Sequence, residues 1–564
     1  MAGRKQDDIW VHFERYTTEG VAGWKARCKL CKKEMQGVVN RLKQHYSSCS
    51  MQDHPIIAEN ESIDLVARST ALCGEVPDTS LFAKEKRPRI THIGEYVMKT
   101  SKSEAELLDL QIARYIYATN TPFIAVEHPE FMKLIKMLRP GYIPPNRHDI
   151  GNKLLNNVQG SLLDTCRKTL EDKTVSLSLD GWSNVHNEPV VCVSVTTDKG
   201  GTFLTETIDT SGHSHTSEYL AELAADAIIS CEINFRCHVR NVVTDNAANM
   251  AKMRRDLQKR IPNEILTYGC SAHLLNLLAQ DVQITGVKEQ VVQIVKYFRH
   301  THLPAARYKQ AGGNSLVIPH EIRWNTLTDC LKSYISNWHI LVQVCEEYRD
   351  EINSNIGNKV KNYSIKRNAE DLFIRLKPIS VALDRIQREN AIISDTVEVW
   401  KTLYEDLLSS QQPAHVLRKV DERAAQAISP AHFSANLIDP RYRGRKLTEK
   451  EATDAMEYIH QHCPNAMATV LQFKAGYDPF KSYMFSDDVV DNITPACWWA
   501  SMHGTLGKDI TKVAEQLLTA IASSAGIERI FSTFGYIQSK TRNRLGIEKA
   551  AKLVFVYRIL NMKN

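Results

Sequence analysis

The chain has 564 residues, of which 43% are hydrophobic and 24% charged, with a formal net charge of +6. That length exceeds an ordinary single domain, the composition is that of a globular chain, and no run of about 18 apolar residues is present to span a membrane. The mild positive charge permits a nucleic-acid partner without requiring one, so local clusters carry more information than the total. The opening MAGRKQDDIW lacks the apolar core of a secretory signal. The 13 scattered cysteines, an odd number, argue for reduced thiols in an intracellular protein rather than a disulfide scaffold.

First in chain order comes RCKLCKKEMQGVVNRLKQHYSSC, in which Cys28 and Cys31 are followed by His45 and Cys49. GVVNRLKQHY reads as a short helix with His45 and Cys49 on its C-terminal side. Two thiolates on a tight turn, then an imidazole and a thiolate one helical turn apart, can close a tetrahedral Zn²⁺ site. A segment this short buries little core, so a structural metal would supply the folding free energy, on the order of 10 kcal/mol. With Trp10 and Phe13 upstream and Trp24 just before the cysteine pair, residues 1–50 resemble a BED-type zinc finger. The resemblance implies a helix laid against DNA, with Asn40, Arg41, Lys43 and Gln44 as phosphate or base-edge donors. For Arg41 and Lys43 a solvated helix face is the competing reading.

Residues 51–92 lose periodicity, and FAKEKRPRITH groups Lys84, Lys86, Arg87 and Arg89 around Pro88. Such a basic linker reads as a nuclear localisation signal, a phosphate-contacting strap or a plain solvated connection. From 93 to 165 a helical pattern runs through EAELLDLQIARYIYATN and HPEFMKLIKML, and is broken at Pro140, Gly141, Pro144 and Pro145 before another helix begins.

The period then changes. TVSLSLDGWS alternates, with Val175, Leu177 and Leu179 on one face and Ser176, Ser178 and Asp180 on the other. PVVCVSVTTD and GTFLTETID follow as a hairpin across DKGG, then TSEYLAELAADAII reads as a helix, and VRNVVTDNAANM as a strand breaking into a helix after Asp245. A right-handed return of that strand beside the first would bring Asp180 and Asp245 to neighbouring strand ends, where two carboxylates repel and a divalent cation is the usual remedy. Near the chain's other end, SSAGIERIFSTFG places Ile527, Ile530, Phe531 and Phe534 on one helical face, with Glu528 on its flank. Taken singly, Asp180 reads as a turn residue, Asp245 as a helix cap and Glu528 as a carboxylate bordering a core.

Together they resemble the acidic triad of an RNase H-like nucleotidyl transferase, which clamps two Mg²⁺ or Mn²⁺ ions about 3.5–4 Å apart. The contexts SLDGWS, VVTDNAANM and SSAGIERIFS resemble, in order, the three acidic motifs of the hAT superfamily of DNA transposases, and the resemblance covers nearly the whole chain. It implies an α/β RNase H-like core at 166–262 and 495–564, interrupted by a large all-α insertion domain at 263–494, with the N-terminal zinc finger, a basic linker and a helical intermediate DNA-binding domain at 93–165. Within the insertion, EQVVQIVKYF carries a stripe of Val291, Ile294, Val295 and Phe298. The resemblance also gives Arg323 and Trp324 in EIRWNT to DNA binding, the tryptophan stacking a flipped base, and makes Cys270 and His273 in GCSAHLLNLL a structural brace near the site. By itself Trp324 reads as a core aromatic. Trp498 and Trp499 match paired tryptophans of the family's C-terminal dimerisation region, and Lys540, Arg542 and Arg544 form a basic edge suited to phosphate. One departure is Ala522, where the family often has proline before the Ser-Ser pair.

The expectation is therefore a nuclear cut-and-paste transposase that binds terminal inverted repeats and catalyses metal-dependent strand cleavage, hairpin formation and strand transfer. Its partners would be double-stranded DNA at transposon ends and target, and a second copy in a homodimer or higher oligomer, with no membrane. The alternative is a domesticated, non-catalytic DNA-binding transcriptional regulator, which would be marked by erosion of the triad or of the Arg-Trp pair; neither is eroded. A nuclease of another kind on the same core is disfavoured by the finger and the insertion.

Overall fold

The computed structural model describes residues 8–16, 25–36, 38–49, 100–184, 186–261, 265–319, 325–539 and 545–562. Trp24, the basic linker 51–92, Arg323, Trp324, Lys540, Arg542 and Arg544 lie outside the described residues. The chain divides into two compact units, Met1–Ile90 and Thr91–Asn564. It is mixed α/β and mostly helical, and no helix among the described residues is long and apolar enough to cross a membrane.

In the first unit, strands β1 (Phe13–Tyr16), β2 (Lys25–Cys28) and β3 (Glu34–Gln36) form an antiparallel sheet, followed by the helix Val39–Cys49. Among the described residues its buried core is Phe13, Ala26, Cys28 and Leu42, with Ile9, Trp10, Met35 and Tyr46 packed against it. A core this small is of the kind that a structural metal commonly supplements.

The second unit is built around a five-stranded sheet: β4 (Thr174–Ser183), β5 (Pro189–Thr196), β6 (Thr202–Asp209), β7 (His238–Thr244) and β8 (Leu266–Gly269), in the spatial order β6-β5-β4-β7-β8. The first three run as an antiparallel meander, while β7 returns parallel to β4 through the helix Ser217–Phe235, and β8 lies parallel to β7. The return beside the first strand that the element order predicts is therefore present. Strand β8 is a difference, because it lies inside the stretch expected to be helical insertion from residue 263. Four residues, LTYG, are too few to display a period of two.

Both faces of β4 are covered. Val175, Leu177 and Leu179 enter a core shared with helices Lys102–Ala118, Lys153–Leu170, Ser217–Phe235 and Ile547–Asn561. On the opposite face Ser176 and Ser178 are buried rather than solvated. The Ser176 hydroxyl donates to the Thr519 carbonyl at 2.9 Å and accepts from the Ile521 amide at 3.3 Å, docking the segment that leads into Glu528. A second core fills the helical mass between residues 271 and 522, and includes Val291, Ile294, Val295 and Phe298 as their spacing predicts. Trp498 and Trp499 are buried in it against Phe473 and Phe480, with their indole N–H groups on the carbonyls of Met484 and Ile438.

Candidate functional site

In the finger, the donor atoms of Cys28, Cys31, His45 and Cys49 all lie within 4.8 Å of one another. Cys31 Sγ is 3.2 Å from His45 Nε2, and Cys28 Sγ is 4.0 Å from Cys49 Sγ. Ligands about 2.3 Å from a common centre are about 3.8 Å apart in a tetrahedron, so the set is dimensioned for one metal ion. The Lys33 backbone N–H holds the Cys31 thiol below its ordinary pKa, favouring the thiolate that a metal needs. On the neighbouring helix Asn40, Arg41, Lys43 and Gln44 are exposed around the inward Leu42.

The acids gather at one end of the five-stranded sheet. In the β4–β7 register Ser178 pairs with Val243, so two residues further on Asp180 and Asp245 emerge side by side on adjacent parallel strands, which run about 4.8 Å apart. Glu528 comes from the helix Ala525–Ile537, whose Ile527, Ile530, Phe534 and Ile537 are buried. Burial pushes the Asp180 carboxyl up to about 7, reinforced by the charges of Asp245 and Glu528 and opposed by the Gly181 N–H. Glu528 is open to solvent on one side, yet the protein packed around it raises its carboxyl above the usual range, against the pull of Arg529.

Neither local role read from sequence holds: Asp180 lies within β4 rather than at a turn, and the helix after Asp245 is capped at Ala247, with no side-chain cap bond. The contacts that form are Asp180 Oδ1 accepting from the Gly181 amide at 2.8 Å and Asp245 Oδ1 from the Ala247 amide at 3.1 Å. They occupy one oxygen each. None of the three acids forms an ion pair among the described residues, and the charges of Asp245 and Glu528 both bear on the Asp180 carboxyl. They do not close to the 4.8 Å mutual spacing of the finger ligands. Acids shared between two cations need not, because each ion takes only some of them.

Trp182, Gly526, Asn246 and Arg254, which the sequence reading did not single out, hold this arrangement together with Phe531, Phe534 and Cys270, which it did. Trp182, two residues past Asp180, stacks on Phe531 at a centroid distance of 6.1 Å and packs tilted against Phe534 at 5.3 Å, clasping the end of β4 to the Glu528 helix. Gly526 lets that helix approach β6, since a Cβ there would sit 2.7 Å from Thr202 Oγ1. Asn246 reaches across to the Cys270 carbonyl at 2.7 Å, passing over Gly269, where a Cβ would clash with it. Arg254 on the helix Ala248–Arg260 donates from Nη1 to Thr244 Oγ1 at 2.5 Å and to the Asp245 carbonyl at 2.6 Å. The buried Cys270 thiol accepts the Ser524 N–H at 3.4 Å, at the entry to the Glu528 helix, while His273 is half-buried one turn on. Only the aromatic identities of Trp182, Phe531 and Phe534 signal the clasp in sequence; the remaining contacts join residues too distant for any local pattern to pair.

Two family models match the chain. A domain of unknown function, DUF659, matches residues 145–297, and the hAT family C-terminal dimerisation region matches residues 480–560. A curated relative, "Putative transcriptional regulator tpeD" of Talaromyces stipitatus, is 24% identical over 288 residues. The match spans 49% of this chain and 32% of that relative, about a third of its length.

Proposed function

We propose that the chain, which carries the hAT family C-terminal dimerisation region, is a cut-and-paste DNA transposase of the hAT superfamily whose catalytic centre is Asp180, Asp245 and Glu528 on an RNase H-like core. What carries the reading is the convergence at the sheet end: Asp180 and Asp245 emerge side by side on adjacent parallel strands, and the charges of Asp245 and Glu528 add to burial in raising the Asp180 carboxyl. The strand order β6-β5-β4-β7-β8, with the first acid on the central strand, is the frame expected of such a core. Divalent cations, when bound, activate the attacking oxygen and stabilise the leaving oxygen of a phosphodiester.

The chain's own residues do the rest. The second oxygens of Asp180 and Asp245, with Glu528, would hold the cations, and the Trp182 clasp joins the end of β4 to the Glu528 helix. The finger, closed by zinc on Cys28, Cys31, His45 and Cys49, presents Asn40, Arg41, Lys43 and Gln44 to terminal inverted repeats. Arg323 and Trp324 are assigned to the DNA flanking the break. The region at 480–560 supports pairing of two copies. Water and freed DNA hydroxyls are the nucleophiles for nicking, hairpin formation and target joining, and the work takes place in the nucleus.

The name of the matched relative favours one second reading, a transposase-derived transcriptional regulator that binds DNA without cutting it. End-labelled DNA carrying the flanking repeats of the source element separates the two. Incubated with the full chain and Mg²⁺ or Mn²⁺, it is expected to be nicked by wild type and not by Asp180→Asn; tight binding without nicking by wild type supports the regulator.

A further inference from the structure

Arg254 stands half-buried behind the acidic cluster and is anchored in an unusual way. An arginine beside an aspartate ordinarily forms a forked ion pair, and each then neutralises the other. Here the guanidinium bonds instead to the Asp245 backbone carbonyl and the Thr244 hydroxyl, both through Nη1, and makes no ion pair with any carboxylate among the described residues. Its Nε and Nη2 have no acceptor among the described residues, and neither is a sealed, unsatisfied atom. The outcome is a separated pair. The Asp245 carboxylate keeps an oxygen for a cation, while the guanidinium keeps donors for an anion, one residue's breadth away.

A phosphodiester drawn onto divalent cations at Asp180 and Asp245 presents the anion that such an arrangement fits. Resting on the nuclease reading for its placement, we propose that Arg254 contacts a non-bridging oxygen of the scissile phosphate through Nε and Nη2. As the phosphorus–oxygen bond to the attacking water forms, the bond to the departing DNA oxygen breaks; the water gives a proton to solvent and the departing oxygen takes one from it, leaving a hydroxyl. Arg254 exchanges no proton and stabilises charge on the phosphoryl oxygens. Its anchorage on the Asp245 carbonyl keeps the contact in register with the carboxylate.

Two readouts on the full, zinc-loaded chain test this. DNA affinity is measured in Ca²⁺ against salt for wild type, Arg254→Gln and Arg254→Lys, with circular dichroism to check that each is folded. Nicking is measured in Mn²⁺. Loss of one phosphate contact is expected to lower the log–log salt slope by about 0.9 in Arg254→Gln and little in Arg254→Lys. The nicking rate constant kcat is expected to fall about 100-fold in Arg254→Gln, with partial recovery in Arg254→Lys. An unchanged slope overturns the contact; if kcat nonetheless falls, Arg254 serves only to hold the Asp245 turn. A reduced slope with no nicking by wild type leaves the phosphate contact standing and sinks the nuclease reading instead. Should Arg254→Gln not fold, the comparison of Arg254→Lys with wild type decides, because lysine retains the charge but not the fork, and equal kcat values for the two would overturn the proposal.

Discussion

Asp180 carries the pH dependence of the site. Its carboxyl ionises at about 7 in the folded chain, against 3.8 for an ordinary aspartate. Between those values the folded state holds a proton that the unfolded state has released, so this group's contribution to stability falls as pH rises from about 4 through 7. A divalent cation must displace the same proton. Mn²⁺ affinity is therefore expected to rise steeply between pH 6 and pH 8 in calorimetric titration, and to flatten in Asp180→Asn; equal affinity at the two pH values would contradict the assignment. The neighbourhood of Asp180 and Asp245 is legible in the sequence because a strand-helix-strand return has one favoured hand, with Asp180 in the last part of β4 and Asp245 just past β7. Arg254 is not, since its partners are a backbone carbonyl and a hydroxyl that no spacing rule links to it.

Among the elements, the end of β4 and the Glu528 helix form the unit that assembles the site. Their join is aromatic: Trp182 stacked on Phe531 at an interplanar angle of 11° and tilted at 37° to Phe534. Stacked pairs add about 0.5–1.5 kcal/mol beyond their buried area. Trp182→Ala is expected to lower unfolding free energy by about 2 kcal/mol in denaturant titration and to weaken Mn²⁺ binding, while Trp182→Phe does much less of both. Stability and Mn²⁺ affinity unchanged in Trp182→Ala would remove the clasp from the account. The buried stripe of the Glu528 helix follows directly from helical periodicity; its register against β4 depends on Trp182 and on the close approach at Gly526. The finger is the converse case, with its ligands evident from spacing and, among the described residues, a small apolar core around Phe13, Ala26, Cys28 and Leu42. A strong chelator is expected to abolish the tertiary signal of residues 1–50 expressed with a reporter on Tyr46, and added Zn²⁺ to restore it. Persistence of that signal after complete metal removal would show a fold that stands without its tether.

Across the whole molecule, the long separation between the second and third acids is filled by helices with their own core. Periodicity makes the helices readable one by one, but the positions of β8 and of the segment 519–524 depend on contacts such as Ser176 with Thr519 and Tyr268 with Ile521, which span hundreds of residues. The paired tryptophans illustrate the same division: their motif is visible in sequence, while their burial at 3% and 0% exposure shows that within one chain they hold the fold. The scaffold brings three acids from remote segments to one electrostatic neighbourhood, and the account stands on their sharing cations. Manganese titration of the zinc-loaded full chain at pH 8, followed by electron paramagnetic resonance, tests this most directly. Wild type is expected to bind Mn²⁺, and Asp180→Asn, Asp245→Asn and Glu528→Gln each to lose at least tenfold in affinity. Equal binding by wild type and all three variants would contradict a shared site.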